Sequence, residues 1–468
     1  MNRYFKRGAE NEPPPTHLLG QLESIEPRGS RGVLLTFDAV PLDWARQMLR
    51  QGAFEALNQE RIALLLEEIP LFHFEMKVHP KSMVHRFFES RWINREGGVE
   101  TTAALGQWFE LLFYESAFGN DRGYASSTVS GVRGHLDLIP SAEHELTGLL
   151  DLIVPEVTPV TSSSPQLLDT LSSIECPAVL AVLDVGQGSA NVMQNERCEP
   201  LLYFDVGRGV RADTATTQLP LEFCICGPRE TRPPVLISHW HEDHYEGAND
   251  DTDLYLCTWI TPQALTLKHK SIQQNALNQG STVLELLPGF PDFQFGATSN
   301  FTLTYCTGPA TNLNHCGHAL LVEREDKNWL LPADAAYKFI CFAMDRAFTA
   351  VAATHHGAKF SGSAPLKAGG YARLVYSFGP DNSYKHPKTS SISKHTGKFW
   401  NHGFVGGWPA PIGALPPVPN GEVRSTAAHA PASLHLGSVV IGWNAPPPLA
   451  VPPYQCPRCG KSFNILQN

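Results

Sequence analysis

The chain has 468 residues, 42% hydrophobic and 18% charged, with a formal net charge of −10. Its length exceeds one ordinary core, so two or three domains are expected, and its composition is that of a soluble globular protein. The negative charge argues against non-specific nucleic-acid binding by the whole surface, and no run approaches the roughly 18–20 apolar residues of a membrane helix.

Taken in chain order, the N-terminal MNRYFKRGAENEPPP carries basic residues with no apolar h-region behind them, so no export signal is read. Residues 1–20 are polar and proline-containing and are expected to be disordered. From about 33 to 155, stretches such as WARQMLRQGAFEALNQERIALLLEEI and TTAALGQWFELLFYES repeat apolar residues at three- and four-residue spacing. That period predicts amphipathic helices, hence a mostly helical accessory domain over 21–156. The composition of VTPVTSSSPQ predicts a linker over 157–177.

Beyond it the period changes. AVLAVLDVGQG, LLYFDVG, PPVLISH, FTLTYCTG, HALLVE and NWLLPADA are short apolar runs ending in polar residues. They predict buried strands with chemistry at their C-terminal ends, in a layered α/β domain over 178–405. The last segment, 406–468, holds eleven prolines between Trp408 and Pro453 and ends in CPRCGKSFNILQN. The ten cysteines lie without framework spacing, which fits a reducing cytoplasm.

The stretch LISHWHEDHYEG places His239, His241, Asp243 and His244 directly after an apolar run. Two imidazoles at i and i+2 can aim at one point, and the Asp and His beyond them at a second. Two divalent ions roughly 3.5–4 Å apart could then share a hydroxide, as in two-metal hydrolases. Imidazole and carboxylate donors suit zinc, manganese or iron. Four residues are too few for two ions. Later strand ends offer Asp334, His355 and His356, with His315 and His318 as further candidates.

The H-x-H-x-D-H cluster resembles the signature of the metallo-β-lactamase fold, an αββα sandwich. LDVGQGSANVM (183–193), YFDVGRG (203–209), HHGAKFSGS (355–363) and DNSYKHP (381–387) are similar to the soluble hydrolase domain of ComEC-type DNA-uptake proteins. The match covers about 178–405, and the membrane channel of those proteins is absent. The resemblance implies one ion on His239 and His241. It implies a second on Asp243, His244 and a histidine of the HHG pair, His355 favoured over His356, with Asp334 bridging. Asp184 and Asp205 are expected to hold turns near the site.

The implied reaction is metal-assisted phosphodiester hydrolysis by a metal-bound hydroxide that Asp243 orients. His386 is a candidate phosphate contact or leaving-group acid, and Asn382, Tyr384 and Lys385 are candidates for positioning substrate. For that loop, a purely structural role is the competing reading. Residues 351–400 carry a net charge of +6, leaving −16 for the rest, which favours an anionic substrate, DNA or RNA among them. Two alternatives stay open: hydrolysis of a thioester, lactone or lactam on the same site, or a non-catalytic module of a multi-protein bacterial system. A protein partner is expected through the N-terminal domain. Cys456 and Cys459 look like one half of a structural zinc site, whereas Cys224 and Cys226 read as buried small residues.

Overall fold

Phe109, Leu111 and Phe113 are buried while Glu110 and Leu112 between them are half-buried. That period of two builds a strand, Trp108–Glu115, where three- and four-residue spacing predicts a helix. The computed structural model describes residues 5–7, 14–28, 32–50, 69–78, 105–115, 122–127, 133–140, 157, 159–209, 213, 222–309, 312–379, 382–402, 422–426, 437–447, 454–456, 458–463 and 465–467. They fall into two compact units, one of 1–156 with 264–275 and 310–312, the other of the remainder.

In the first unit, strands run in the order Phe5–Arg7, Ile69–Val78, Gly32–Pro41, His17–Arg28, Trp108–Glu115, Arg133–Pro140 and Arg122–Ser127. The last also pairs with Ile69–Val78, so six antiparallel strands close on themselves, and Phe5–Arg7 adds in parallel. Closure leaves those six strands without an open edge. Phe37 meets Phe109 edge-on at 5.9 Å, and Phe74 lies 5.2 Å from Phe113. The mostly helical domain is thus corrected to a largely β one in its described part. The helix Leu42–Arg50 lies inside the predicted helical stretch, whose continuation over 51–68 falls outside the described residues. The N-terminal twenty are likewise not uniformly without structure, since they supply Phe5–Arg7 and the start of His17–Arg28.

The second unit stacks two mixed sheets. One has nine strands: Ile465–Gln467, Ser438–Ile441, Val179–Val182, Ala190–Gln194, Pro200–Val206, Val235–Leu236, Trp259–Pro262, Val283–Leu286 and Pro159–Val160. The other has seven: Phe293–Phe295, Phe301–Tyr305, His318–Arg324, Lys327–Leu331, Ala350–Ala352, Arg373–Tyr376 and Val423–Ser425. Strand alternation feeds two cores. Leu320, Val322, Trp329, Leu331 and Val375 join Leu180, Phe204, Leu236 and Ile260 between the sheets. Leu321, Leu330, Leu374 and Tyr376 face the other way and bury Ile392 of the helix Thr389–Thr396. Each fully buried Leu or Val contributes about 1.5–3 kcal/mol, so both faces of the second sheet are held.

Two boundaries shift. The expected linker holds the edge strand Pro159–Val160 and the helix Pro165–Leu171. Pro165 supplies the fixed φ of a first helical residue after Ser164, and Leu167 and Leu171 are buried. The Ser–Pro pair that suggested a linker starts a helix. The domain also runs past 405, because the described parts of the proline-rich tail give one strand to the second sheet and two to the first. Trp443 stacks on Trp329 at 3.7 Å, which fixes that return. No described helix is long and apolar enough to cross a membrane.

Candidate metal centre

The H-x-H-x-D-H segment begins just beyond Val235–Leu236, a central parallel strand of the nine-stranded sheet. His239 and His241 lie on the connection, and Asp243 and His244 on the short helix Glu242–Tyr245. Asp334 follows Lys327–Leu331 of the second sheet, and His355 and His356 follow Ala350–Ala352. Strand ends of both sheets therefore carry the site. Hydrogen bonds tie them: His318 N donates to Ser238 O at 2.9 Å, and the Ser377 hydroxyl donates to Gly188 O at 2.7 Å.

Gly207, in YFDVGRG, explains how the helix comes so close. A Cβ there would lie 1.7 Å from the Asp243 carbonyl oxygen, so only glycine fits. The same carbonyl accepts from Ser189 N at 2.8 Å. The two DVG motifs thus form the seat of the H-x-H-x-D-H turn. Ala333, His355 and His356 adopt φ of 49°, 48° and 55°, a region costing a non-glycine residue about 1 kcal/mol or more. That strain sits beside Asp334 and at the HHG turn.

Two groups of side chains converge: His239, His241 and Asp334, and Asp243, His244 and His356, with the donor atoms of each group within 4.8 Å of one another. Asp334 lies between them. Its Oδ2 is 3.7 Å from His239 Nε2, and its Oδ1 is 3.2 Å from His244 Nε2 and 3.8 Å from His356 Nε2. Asp243 Oδ2 is 3.1 Å from His356 Nε2.

The other ring nitrogens decide what these contacts mean. His244 Nδ1 donates to Asp205 Oδ2 at 2.8 Å, and His356 Nδ1 to the Ser377 carbonyl at 2.9 Å. His239 Nδ1 lies 3.1 Å from Ser238 Oγ, which donates to Asp205 at 3.0 Å. With Nδ1 protonated in each ring, the three Nε2 atoms present lone pairs. In the neutral rings they face carboxylate oxygens with no proton between them. His239, His244 and His356 Nε2 and both Asp334 oxygens are buried without a hydrogen-bond partner. Buried acceptors facing acceptors are costly unless a cation sits among them. The donor set therefore fits divalent metal ions.

Charge tells the same story. Burial pulls the His244 pKa down, but Asp334, Asp205 and Asp243 outweigh it and hold it well above the usual histidine range. Burial raises Asp334, yet His355 and His244 hold it well below the carboxylate range. In the metal-free protein the cluster must take up protons in place of cations.

The placement of the remaining candidates differs. His356, and not the favoured His355, closes the group with Asp243 and His244. His355 keeps Nε2 3.4 Å from Asp334 Oδ2 but is about one-third exposed, at the rim. His315 and His318 join neither group. His315 Nδ1 accepts from Ala336 N at 3.4 Å, and His318 is buried edge-on against Tyr305. The third position of the first group is Asp334.

His386 stands beside the cluster, its ring 5.7 Å from that of His355 and 6.3 Å from that of His356. Its Nδ1 lies 3.1 Å from Gln187 Nε2, which donates to it. Asn382 is buried and spends its amide on the loop, donating to Gly379 O and His386 O and accepting from His386 N at 2.8 Å. That is the structural role weighed against substrate positioning. Tyr384 lies face-on to the His386 ring at 5.6 Å, and Lys385 is exposed. Much of the basic excess of 351–400 is engaged elsewhere. Lys367 pairs with Glu422 at 2.7 Å, Arg373 lies over Tyr371, and Lys394 donates to Phe360 O.

Sequence reasoning missed the support. Asp205 was expected to hold a turn, and it also orients His244 and Ser238. Gln187 and Ser377 carry no signal of their own. Cys224 and Cys226, set aside from the sequence, meet Cys456 and Cys459.

Neither a protein-family model nor a curated protein matches the chain. Solved structures do. A metallo-beta-lactamase fold protein, YhfI from Bacillus subtilis, is similar at 15% identity and a TM-score of 0.30, over 53% of this chain and 96% of that one. An isothiocyanate hydrolase from Delia radicum gut bacteria gives 12% and 0.32, over 57% and 99%. Zn(2+)-bound PqqB from Methylobacterium extorquens gives 10% and 0.25, over 39% and 73%. The chemistry rests on the chain's own side chains.

Proposed function

We propose that this chain is a metal-dependent hydrolase that cleaves a phosphodiester bond in an anionic substrate, nucleic acid foremost. The observation that carries the reading is the set of buried Nε2 and carboxylate acceptors facing one another around Asp334. His239, His241 and one oxygen of Asp334 would hold one divalent ion. Asp243, His244, His356 and the other oxygen would hold a second. Such ions supply Lewis acidity and a hydroxide at neutral pH, and zinc, manganese and iron all suit these donors.

The chain's own residues do the rest. Asp205 and Ser238 hold Nδ1 of His244 and His239, so Nε2 is the ring nitrogen each turns toward Asp334 and would offer to a cation. Asp243, whose side chain is 21% exposed, is the partly open carboxylate and orients the incoming water. His386 accepts from Gln187 at Nδ1, and burial, then His355 and His356, hold its pKa well below the histidine range. It is thus a neutral ring whose Nε2–H donates to a substrate oxygen. Lys385 and Lys388 beside it supply positive charge. This supports an anionic substrate over a neutral lactam.

The test is hydrolysis of single- and double-stranded DNA and of RNA by the full chain supplied with zinc or manganese, beside His241→Ala. Cleavage that disappears in the variant, with fold retained, supports the reading. A metal-loaded protein that leaves every nucleic acid intact overturns the phosphodiester assignment and moves thioesters, lactones and lactams forward. Failure to bind any divalent ion overturns the hydrolase assignment itself.

A further inference from the structure

Cys224, Cys226, Cys456 and Cys459, two short pairs far apart in sequence, bring their sulfurs within 4.8 Å of one another, separate from the histidine cluster. None is in a disulfide. Cys224 Sγ and Cys459 Sγ are 3.8 Å apart across 235 residues of chain. A disulfide needs about 2.05 Å. Four thiolates around zinc at about 2.3 Å, set tetrahedrally, stand about 3.8 Å apart. The observed spacing is that of a shared ion.

The backbone around the sulfurs is built accordingly. Cys456 and Cys459 lie in the connection of a hairpin, where Cys456 N donates to Lys461 O at 2.8 Å and Gly460 N to Cys456 O at 2.9 Å. Gly460 takes a φ of 74°, which the turn requires. The amides of Cys459 and Arg458 hydrogen-bond to the Cys456 sulfur. On the facing loop, Tyr203 Oη donates to Cys224 O at 2.8 Å. Two charged residues dock the hairpin. Arg458 donates to Cys226 O and Gly227 O, both at 2.6 Å, and Lys461 contacts Asp251 at 2.7 Å and Asp253 at 2.7 Å. Asp251 also accepts from Phe223 N at 2.6 Å, and it caps the turn Thr252–Leu256, which follows the short helix Gly247–Asp250.

We propose that these four cysteines form a structural site for a thiophilic divalent cation, zinc, which clamps the C-terminal hairpin to the 222–227 loop and, through Asp251, to the turn Thr252–Leu256. All four positions are filled by protein, so the site is closed, as structural zinc sites are. It does not depend on the hydrolase reading.

A variant lacking the histidine centre, His241→Ala with Asp334→Asn, isolates the site in the full chain. Purified under reducing conditions with zinc, it should retain one zinc per chain, with four of its ten cysteines protected from a thiol reagent until a chelator is added. Reconstituted with cobalt, it should show a thiolate-to-cobalt charge-transfer band in the near ultraviolet. Adding Cys226→Ser and Cys459→Ser should abolish the band and release the zinc. No retained zinc, a cobalt spectrum without that band, or paired disulfides in the intact mass would overturn the proposal. Should the serine variants fail to fold, the spectrum and thiol protection of the cysteine-intact protein decide alone.

Discussion

Among its described residues the molecule gathers metal-type donors in two places, and they are built on opposite plans. Around Asp334, most of the donors come from one short segment plus two strand ends, and the rim is partly open at His241, Asp243 and His355. Around Cys456, all four donors are sulfurs from two distant loops, with no carboxylate or imidazole among them. Imidazole and carboxylate with an open side leave room for a reacting molecule; four thiolates do not. On the two proposals above, one region is arranged for chemistry and the other for holding the chain together.

The sharpest way to break this comparison is Asp334→Asn. Asp334 is the group both histidine sets share, so its loss should empty both ion positions while leaving the cysteine site loaded. Metal electrostatics contribute several kcal/mol at a transition state, so hydrolysis should fall about 10³-fold or more. Metal content by mass spectrometry, read beside the rate, checks it. If the variant lost the cysteine-bound metal equally, the two regions would not be independent.

A second test separates histidines that face a cation from those that do not. Burial holds His318 at about 4, His395 at about 3 and His402 at about 4. His395 is held between the hydroxyls of Tyr337 and Tyr376, at 2.9 and 3.0 Å. In the unfolded chain each titrates near 6.5. Between those values the unfolded state binds more protons, so stability rises with pH. The contribution is complete above about pH 6.5 and is lost as pH falls toward about 4, a few kcal/mol in all or more. Thermal unfolding of Asp334→Asn, scanned from pH 7 to 4, should show this loss without any metal release from the histidine centre. A flat profile would place the acid sensitivity in that centre instead.

Legibility followed distance along the chain. His239, His241, Asp243 and His244 lie within six residues, and the need of each ion for several donors pointed onward to Asp334 and the HHG turn. Which of His355 and His356 closes the second group was not legible, since left-handed φ at both residues decides where the rings go. The cysteine cluster was half visible as C-P-R-C. Its C-x-C half is tighter than usual zinc spacing, and nothing local pairs two loops 235 residues apart. The sandwich strands were legible from short apolar runs. The strand Trp108–Glu115 was not, because Trp108, Phe109, Leu111, Leu112 and Phe113 satisfy a three- and four-residue spacing as well as an alternating one. Ring closure with five partner strands selected the second.

Asp205→Asn probes the support rather than the ligands. It removes the charge that receives His244 Nδ1 and the Ser238 amide and hydroxyl. Partners at this remove are worth about 10–100-fold in metal affinity or activity. Titration with zinc should show weaker binding by that factor at the histidine centre and unchanged binding at the cysteines.

The smallest effect, and the most diagnostic of the substrate side, belongs to Gln187. It belongs to neither donor group, and its amide donates to His386 Nδ1 at 3.1 Å. Gln187→Leu removes that donor, so the neutral His386 ring is free to carry its proton on Nδ1 instead of Nε2. A donor aimed at substrate then spends part of its time as an acceptor. The loss of one neutral hydrogen bond, about 0.5–1.5 kcal/mol, predicts a decrease of roughly 2- to 12-fold. Because the substitution replaces none of the donor residues, metal content should hold at its wild-type value. His386→Gln, which keeps an N–H donor, should recover part of the loss that His386→Ala suffers. A rate unchanged by Gln187→Leu would confine His386 to the loop that Asn382 already holds, and the working part of the site to the residues around Asp334.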